Sequence, residues 1–204
     1  MATRTDGRRG YAAGDARRER ILHIAMQEFA ENGYRGTSLA RVAERAGLSQ
    51  PGLLHHFRSK EQLLVAVLDL RDRRDAERFL GPDGAPPTGA AMLDALADLV
   101  EHNSRAPELV RLFAVLTSEA VTADHPARAW ARDRYAHLRA RVAESFAAGV
   151  AAGEFRAGID ADSYAVRVIA LMDGLQTQWL LAPDEIDMPA LFRAQVADIL
   201  AALR

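Results

Sequence analysis

The feature that most restricts the fold of this chain is a high alanine content without any run of alternating β-branched residues. Alanine makes up about a fifth of the 204 residues, and it has the highest helix propensity of all residue types. A strand that lies half-buried in a sheet needs apolar residues at every second position, and no segment shows that pattern. We therefore predict an all-α fold, in a chain long enough for one large domain or two smaller ones.

Glycine, proline and capping residues divide the chain into nine predicted helices. A loop rich in glycine and proline occupies residues 81–89, and residues 1–15 lack periodicity and are predicted to form a flexible basic arm. Ser49 is the expected N-cap of the third helix, and Ser59 with Gln62 has the spacing of a capping box at the start of the fourth. The predicted helices lie at about 16–32, 37–46, 50–57, 59–79, 88–104, 107–122, 126–152, 161–181 and 188–203.

Charge is distributed unevenly along the chain, although the formal net charge is only −2. Residues 1–60 contain eleven Lys and Arg against six Asp and Glu, a balance of +5. Residues 61–204 contain fifteen against twenty-two, a balance of −7. An evenly spread charge of this sign would argue against a nucleic-acid partner, but the basic N-terminal third keeps such a partner open.

Several functional classes are disfavoured by what the sequence lacks. No cysteine occurs, which excludes disulfides, thiolate metal sites and cysteine nucleophiles. The chain has no H-E-x-x-H, no G-x-S-x-G and no phosphate-binding glycine loop, so neither an enzyme nor a cofactor is expected. His55 and His56 point about 100° apart on a helix and lack a third ligand, so no metal site is expected. Without a spanning apolar run or a signal core, we expect a cytoplasmic protein with no membrane partner.

Two short helices separated by residues 47–49 have the spacing of a helix-turn-helix, whose second helix lies in the DNA major groove. Gly47 permits the sharp turn because it has no Cβ atom. Ala43 and Gly47 are four residues apart, and their small size is expected to let the two helices approach closely where they cross. The small core around them is expected to contain Val42, Leu48 and Leu53.

Residues 20–64 closely resemble the DNA-binding domain of the tetracycline-repressor (TetR) family of bacterial transcription regulators. The resemblance covers about a quarter of the chain and rests on three blocks in order, Phe29…Gly33-Tyr34…Thr37, Ala46-Gly47-Leu48-Ser49 and His56-Phe57-x-Ser59-Lys60-Glu61. The rest of the chain is similar to the family in length and helix count. The segment DGLQTQWLL at 173–181 resembles the family's dimerisation helices.

The resemblance implies contacts with the DNA backbone from two helix starts. Thr37 and Ser38 would bind a phosphate from the second helix, and Lys60 would bind one from the fourth. Exposed arginines in the basic third are expected to add to these contacts. The full set of expected DNA-binding residues is Arg17, Arg18, Thr37, Ser38, Arg41, Ser49, Gln50, Gly52, His55 and Lys60.

The third helix is expected to enter the groove and to present Gln50, Gly52 and His55. A glutamine is able to bond adenine bidentately, and a glycine lets the backbone approach the bases. Two residues depart from the family pattern, because members often carry Gly at the position of Pro51 and Tyr at the position of Leu54. The phosphate contact of that Tyr is therefore not expected, and His55 is expected to replace it in part.

The resemblance also implies an effector cavity among the middle helices, where apolar walls and a few polar groups would orient an unknown small molecule. A core role is the alternative for each aromatic and methionine. The candidates are Met92, Arg111, Phe113, Trp130, His137, Arg141, Met172 and Gln176. A dimer interface is expected on the apolar faces of the last two helices, with the candidates Tyr164, Val168, Leu171, Leu175, Trp179, Phe192, Val196, Ile199 and Leu200.

The sequence therefore predicts a homodimeric repressor that a small molecule releases from palindromic operator DNA. Residues 16–58 would form the DNA-binding domain, and residues 59–204 the effector-binding and dimerisation domain, with a fourth helix at 59–80 as connector. One alternative is a helical enzyme or small-molecule carrier that retains the helix-turn-helix for packing only. Another is a recruitment protein that binds a further protein through an exposed apolar patch.

Overall fold

A computed structural model describes residues 6–78 and 85–204 of the chain, with side chains at position 14 and over 16–73 and 85–204. Within these ranges there are nine helices and no strands, which confirms the all-α prediction. None of these helices combines the length and the apolar character that crossing a lipid bilayer requires. The helices are α1 (Asp6–Gly36), α2 (Leu39–Arg45), α3 (Gln50–His56), α4 (Lys60–Arg78), α5 (Ala90–Asn103), α6 (Pro107–Glu119), α7 (Arg128–Ala151), α8 (Ala161–Leu181) and α9 (Met188–Leu203).

The first helix is longer than the sequence pattern predicted. It begins at Asp6 and not near Ala16, so the predicted arm is wrong for residues 6–15, while residues 1–5 lie outside the described residues. Residues 6–15 contain two alanines and two arginines, which favour helix, but also three glycines, which do not, so residue propensity alone does not account for the extension. Gly33 has a φ of 65° and interrupts the helical geometry where the Asn32-Gly33 pair predicted an end.

The short helices around the turn begin at the capping residues that the sequence indicated. Oγ of Ser49 accepts a hydrogen bond from the backbone N–H of Gly52 at 3.2 Å. Oγ of Ser59 accepts one from the N–H of Gln62 at 3.1 Å. Oε1 of Gln62 accepts a hydrogen bond from the N–H of Arg58 at 2.6 Å. In the usual capping box this oxygen bonds the N–H of the N-cap residue, here Ser59, so the bond lies one residue earlier than usual. These local bonds fix where α3 and α4 start.

The later helices lie close to their predicted ranges, within three residues at each end that the structure describes. Residues 85–88 have no regular structure, as expected for a proline-containing loop. The predicted end of the fourth helix at Phe79 and the first part of the loop lie outside the described residues.

One hydrophobic core supports the turn and combines both halves of the chain. Phe29 of α1, Leu53 of α3 and Leu63 of α4 are fully buried in it. Leu112 and Leu116 of α6 belong to the same cluster. This core therefore crosses the boundary predicted at residue 58, and α1 packs directly on α6.

A second core joins α5, α7, α8 and α9, and it corrects part of the predicted dimer interface. Val168, Phe192 and Val196 are between 0% and 3% exposed within one subunit. Their assignment to the dimer face is wrong, because a side chain already buried in its own subunit has no surface to give to a partner. The other six candidates are partly buried against this core, namely Tyr164, Leu171, Leu175, Trp179, Ile199 and Leu200.

Candidate nucleic-acid interface and ligand cavities

The turn between α2 and α3 is held by backbone bonds and one left-handed residue. The N–H of Leu48 donates to the carbonyl of Ala43 at 2.9 Å, and Gly47 has a φ of 68°. A Cβ atom at Gly47 would meet nothing within 4 Å. The expectation that Gly47 allows close helix approach is therefore wrong, and its role is the backbone conformation alone.

Helix α3 turns one polar face to solvent. Gln50 and His55 are exposed, and Gly52 is half-buried beneath the Ser49 cap. Leu53 points the other way into the core. Gln50 and His55 are thus both accessible on the helix that the rule for helix-turn-helix proteins places at the bases, although positions 50 and 52 point about 160° apart.

The structure separates the two predicted phosphate ligands at the start of α2. Thr37 is 3% exposed, and its hydroxyl donates to the carbonyl oxygens of Gly33 at 2.7 Å and Glu28 at 2.9 Å. This hydroxyl holds the end of α1, so the prediction that it binds phosphate is wrong. Ser38 is exposed at the N-cap of α2 and makes no side-chain cap bond, which leaves its hydroxyl available at a helix N-terminus.

Cationic side chains flank α3 on several helices. Arg17 and Arg18 are exposed on α1, and the guanidinium of Arg18 lies 5.0 Å from the ring centroid of Phe57. Two exposed arginines that the sequence analysis did not select, Arg35 and Arg58, lie at the end of α1 and directly after α3. Their sequence positions, before α2 and after α3, could have identified them, because positive charge on both sides of a recognition helix favours contact with the DNA backbone.

Lys60 begins α4 and is held against the end of α1. Its Nζ lies 4.6 Å from the ring centroid of Tyr34 and donates to the carbonyl of Arg35 at 3.3 Å. Burial lowers the pKa of Lys60, while the charges of Glu61 and Glu119 act to raise it. These contacts fix the position from which the ammonium group would reach a phosphate.

A buried carboxylate ties α1 to α2. Glu28 is 2% exposed, and it accepts hydrogen bonds from Nε of Arg41 at 2.6 Å and Nη1 of Arg45 at 2.8 Å. Burial by itself raises the pKa of Glu28, but the hydrogen bonds from Arg45 and Arg41 outweigh it and hold the pKa below its ordinary value. Arg41, predicted to bind phosphate, therefore has a structural partner, although its side chain remains 45% exposed.

The end of α6 contacts the end of α1 at a junction formed by Gly33, Tyr34, Glu119 and His125. Oε2 of Glu119 accepts a hydrogen bond from the N–H of Tyr34 at 2.7 Å. A Cβ atom at Gly33 would lie 2.3 Å from Oε1 of Glu119, so this carboxylate would have to move, and the positive φ favours glycine there.

His125 completes the junction. Its Nδ1 accepts a hydrogen bond from the N–H of Ala127 at 3.2 Å, which places the proton of a neutral ring on Nε2. That nitrogen faces Oε2 of Glu119 at 3.4 Å. The ring also meets Tyr34 edge-on, with the ring centroids 5.2 Å apart. Tyr34 in turn donates to Glu61, so the junction reaches the first turn of α4.

A cavity of about 400 Å³, called the larger cavity, lies between α4, α5, α7 and α8. Four predicted ligand residues line it: Trp130, His137, Arg141 and Met172. Nε1 of Trp130 donates to Asp72 of α4 at 2.9 Å, and Arg134 pairs with the same carboxylate. The remaining lining residues are Leu96, Leu99, Asp133 and Leu138.

A cavity of about 260 Å³, called the smaller cavity, lies between α6, α7 and α8 and is lined by the predicted residues Phe113 and Gln176. The cavity-lining candidates, which were predicted to line one site, therefore lie in two separate cavities. Met92 is 4% exposed in the second core, and Arg111 is exposed on α6. Neither lines either cavity, because Met92 points into the helix packing and Arg111 points to solvent. Among the described side chains, no three His, Asp or Glu residues come together as metal ligands would.

Comparison with known proteins covers both halves of the chain. A family model described as bacterial regulatory proteins, tetR family, matches residues 21–67. A model of the C-terminal part of BetI-type transcriptional repressors matches residues 88–204. The transcriptional regulator TtgR of Pseudomonas putida is 28% identical over 179 residues, which cover 84% of this chain and 83% of TtgR. The regulator RutR of Escherichia coli is 35% identical over 116 residues, or 55% of this chain and 52% of RutR.

A solved structure shows the same fold. The regulator FadR of Bacillus subtilis, in complex with stearoyl-CoA, superposes with a TM-score of 0.76 at 18% identity. The superposition covers 89% of this chain and 96% of that one.

Replacing Glu28 with Gln tests the buried ion pairs. The variant Glu28→Gln keeps the size but removes the charge that Arg41 and Arg45 share, and it should lower the free energy of unfolding by about 1–3 kcal/mol at pH 7. Because the pKa of Glu28 is depressed in the folded state, its contribution is present above the unfolded pKa of about 4.3 and is lost as the pH falls through the folded value.

Urea denaturation followed by circular dichroism at pH 7 and at about pH 3 measures this difference. The exposed Glu44→Gln on α2 is the matched control and should unfold like the wild type. A difference between wild type and Glu28→Gln that is equal at both pH values would contradict the role of the charge.

Proposed function

This chain belongs to the tetR family of bacterial regulatory proteins, and from that premise we propose that it represses transcription until a small molecule releases it from its operator. Members of this family are DNA-binding transcription regulators, so the alternative of an enzyme that keeps a helix-turn-helix for packing is set aside. A ligand-binding role agrees with the complex of the structural neighbour FadR with stearoyl-CoA.

The observation that carries the proposal is that one helix connects the DNA face with the larger cavity. Lys60 begins α4 beside α3, and Asp72 of the same helix lines the cavity. Twelve residues separate them, a distance of about 18 Å along a helix. A ligand that binds only a conformer with wrongly placed α3 helices would shift the population away from the DNA-competent state.

The junction supplies a second route that the sequence analysis did not foresee. Glu119 ends α6 and holds the N–H of Tyr34, while Tyr34 holds Glu61 at the start of α4. A displacement of α6 would therefore reach the helices on both sides of the DNA face. We include this route in the proposal together with the predicted role of α4 as connector.

The proposed assembly is a homodimer that binds a palindromic operator, since two recognition helices must match two half-sites. The outer side of α8 supports this, because Val166 and Leu181 are large apolar residues that are 51% and 81% exposed. Gly174 lies between them with open space where a Cβ would be, which lets another helix approach closely. Leu191 of α9 is a further large apolar residue that is 44% exposed. A second copy of the chain is the proposed occupant of this surface.

Gln50→Ala and Lys60→Ala should weaken DNA binding in different ways. Loss of the Gln50 amide should relax the preference at one base pair per half-site by about 1–3 kcal/mol. Loss of the Lys60 charge should weaken binding to all duplexes alike and reduce the slope of log affinity against log salt by about one per contact. Selection of binding sites from random duplexes and titrations at several salt concentrations measure both effects. An unchanged selected site in Gln50→Ala would remove that residue from the base-reading set.

Leu181→Asp should separate the dimer without unfolding the subunit. Val196 is unsuitable for this test, because it is buried and its replacement would disrupt the second core. Sedimentation velocity should show monomers for Leu181→Asp, with operator affinity reduced at least tenfold and the helical circular dichroism retained. Val65→Asp, at an exposed apolar position on α4, is the matched control and should remain dimeric. Normal dimerisation of Leu181→Asp would place the interface elsewhere.

Glu119→Ala should loosen the junction and weaken operator binding in the absence of any ligand. The N–H of Tyr34 loses its acceptor, so hydrogen exchange at this amide should accelerate. Operator affinity should fall at least threefold, since the end of α1 and the first turn of α4 lose their shared support. Glu108→Ala, an exposed acid at the start of α6, is the control and should change neither quantity. Faster exchange with unchanged operator affinity would show that the junction does not position the DNA face.

A further inference from the structure

The smaller cavity is lined by two polar side chains whose hydrogen-bonding capacity the subunit uses only in part. Asp173 and Gln176 lie three residues apart on α8 and therefore on neighbouring positions of one helix face. Oδ2 of Asp173 accepts a hydrogen bond from the hydroxyl of Tyr135 at 2.7 Å. Its Oδ1 is buried and has no hydrogen-bond partner among the described residues. An acceptor that is buried without a donor is rare in folded proteins.

Gln176 adds a second polar side chain to the same wall. It is 3% exposed and lines the cavity, and its amide makes no hydrogen bond within the described part of the chain. A glutamine amide offers one acceptor oxygen and two donor hydrogens. The wall therefore presents a carboxylate acceptor next to an amide that both donates and accepts.

We propose that the smaller cavity is a second ligand site, which binds a small neutral molecule carrying a carboxamide or lactam group. The N–H of such a group would donate to the carboxylate of Asp173, and its carbonyl oxygen would accept from the side-chain amide of Gln176. The ring of Phe113 on the facing wall suits a planar group. One ligand would then bond both side chains.

The charges around the cavity favour a neutral ligand over an ion. A ligand carboxylate has no hydrogen to donate to Oδ1 and would place a second negative charge beside Asp173. A ligand cation would be repelled by Arg71 and Arg134, whose guanidinium groups lie 4.7 Å and 4.9 Å from the ring centroid of Phe113 and whose charges act on Asp173. Burial raises the pKa of Asp173 against the lowering effects of Tyr135, Arg134 and Arg71, so positive charge already lies near this carboxylate.

This second site shares no lining residue with the larger cavity. It is also close to the junction, because Thr117 and Ser118 line it and directly precede Glu119 at the end of α6. Occupation of the smaller cavity would thus contact the helix that holds Tyr34.

Three probes of equal shape and different charge test the proposal: benzamide, benzoate and benzamidine. Isothermal titration of the full chain should detect benzamide binding, with benzoate and benzamidine at least tenfold weaker. Gln176→Met, which keeps the length but removes the amide, should weaken benzamide binding at least tenfold. Met172→Leu, on the same helix but in the wall of the larger cavity, is the matched control and should bind benzamide like the wild type.

Asp173→Asn provides a second variant should Gln176→Met fail to fold, and it too should weaken benzamide at least tenfold because it removes the carboxylate acceptor. Benzoate or benzamidine binding as tightly as benzamide would overturn the proposal. So would unchanged benzamide binding in the folded variants, or no binding of benzamide up to about ten millimolar. Because titration measures binding directly, failure here would leave operator binding and its release untouched.

Discussion

The buried carboxylate of Glu28 is the interaction on which the DNA-binding half depends. It pairs with Arg41 and Arg45, which are one turn apart on α2, so a single side chain of α1 sets the direction of the next helix. The turn at Gly47 then fixes the orientation of α3 relative to α2. A buried charge is costly unless it is paired and hydrogen-bonded, and here both oxygens accept from an arginine. The exposed side of α3 is consequently determined from inside the domain.

Helix α1 also connects the DNA face to the rest of the subunit through α6. Leu112 and Leu116 of α6 are buried in the core beneath the turn, and Glu119 of α6 holds Tyr34. The two halves therefore share packed atoms and are not joined by α4 alone. An effector that alters α6 or α4 acts on helices already in contact with the recognition unit, which is the physical basis for coupling between distant sites.

Much of the recognition unit could be predicted from the sequence, whereas the assignment of individual contacts could not. Ser49, Gly47 and Ser59 act as the pattern indicated, since a cap or a left-handed turn depends on neighbours within a few residues. Thr37 was wrongly expected at the DNA surface, because a hydroxyl at a helix start suits a phosphate and a backbone carbonyl equally well. Phe192 was wrongly expected at the dimer face, because an apolar stripe fits a core and an interface alike.

The sequence by itself determined the helical class, the position of the turn and the family, because these follow from propensity, from short-range hydrogen bonds and from residue order. Only the tertiary structure decided which of the charged and polar groups meet. Glu28 and Arg41 are thirteen residues apart, and Tyr34 and Glu119 are 85 apart. The division of the candidate ligand residues between two cavities has the same origin. Such pairings depend on how helices pack, and packing places side chains by distance in space, which local periodicity does not encode.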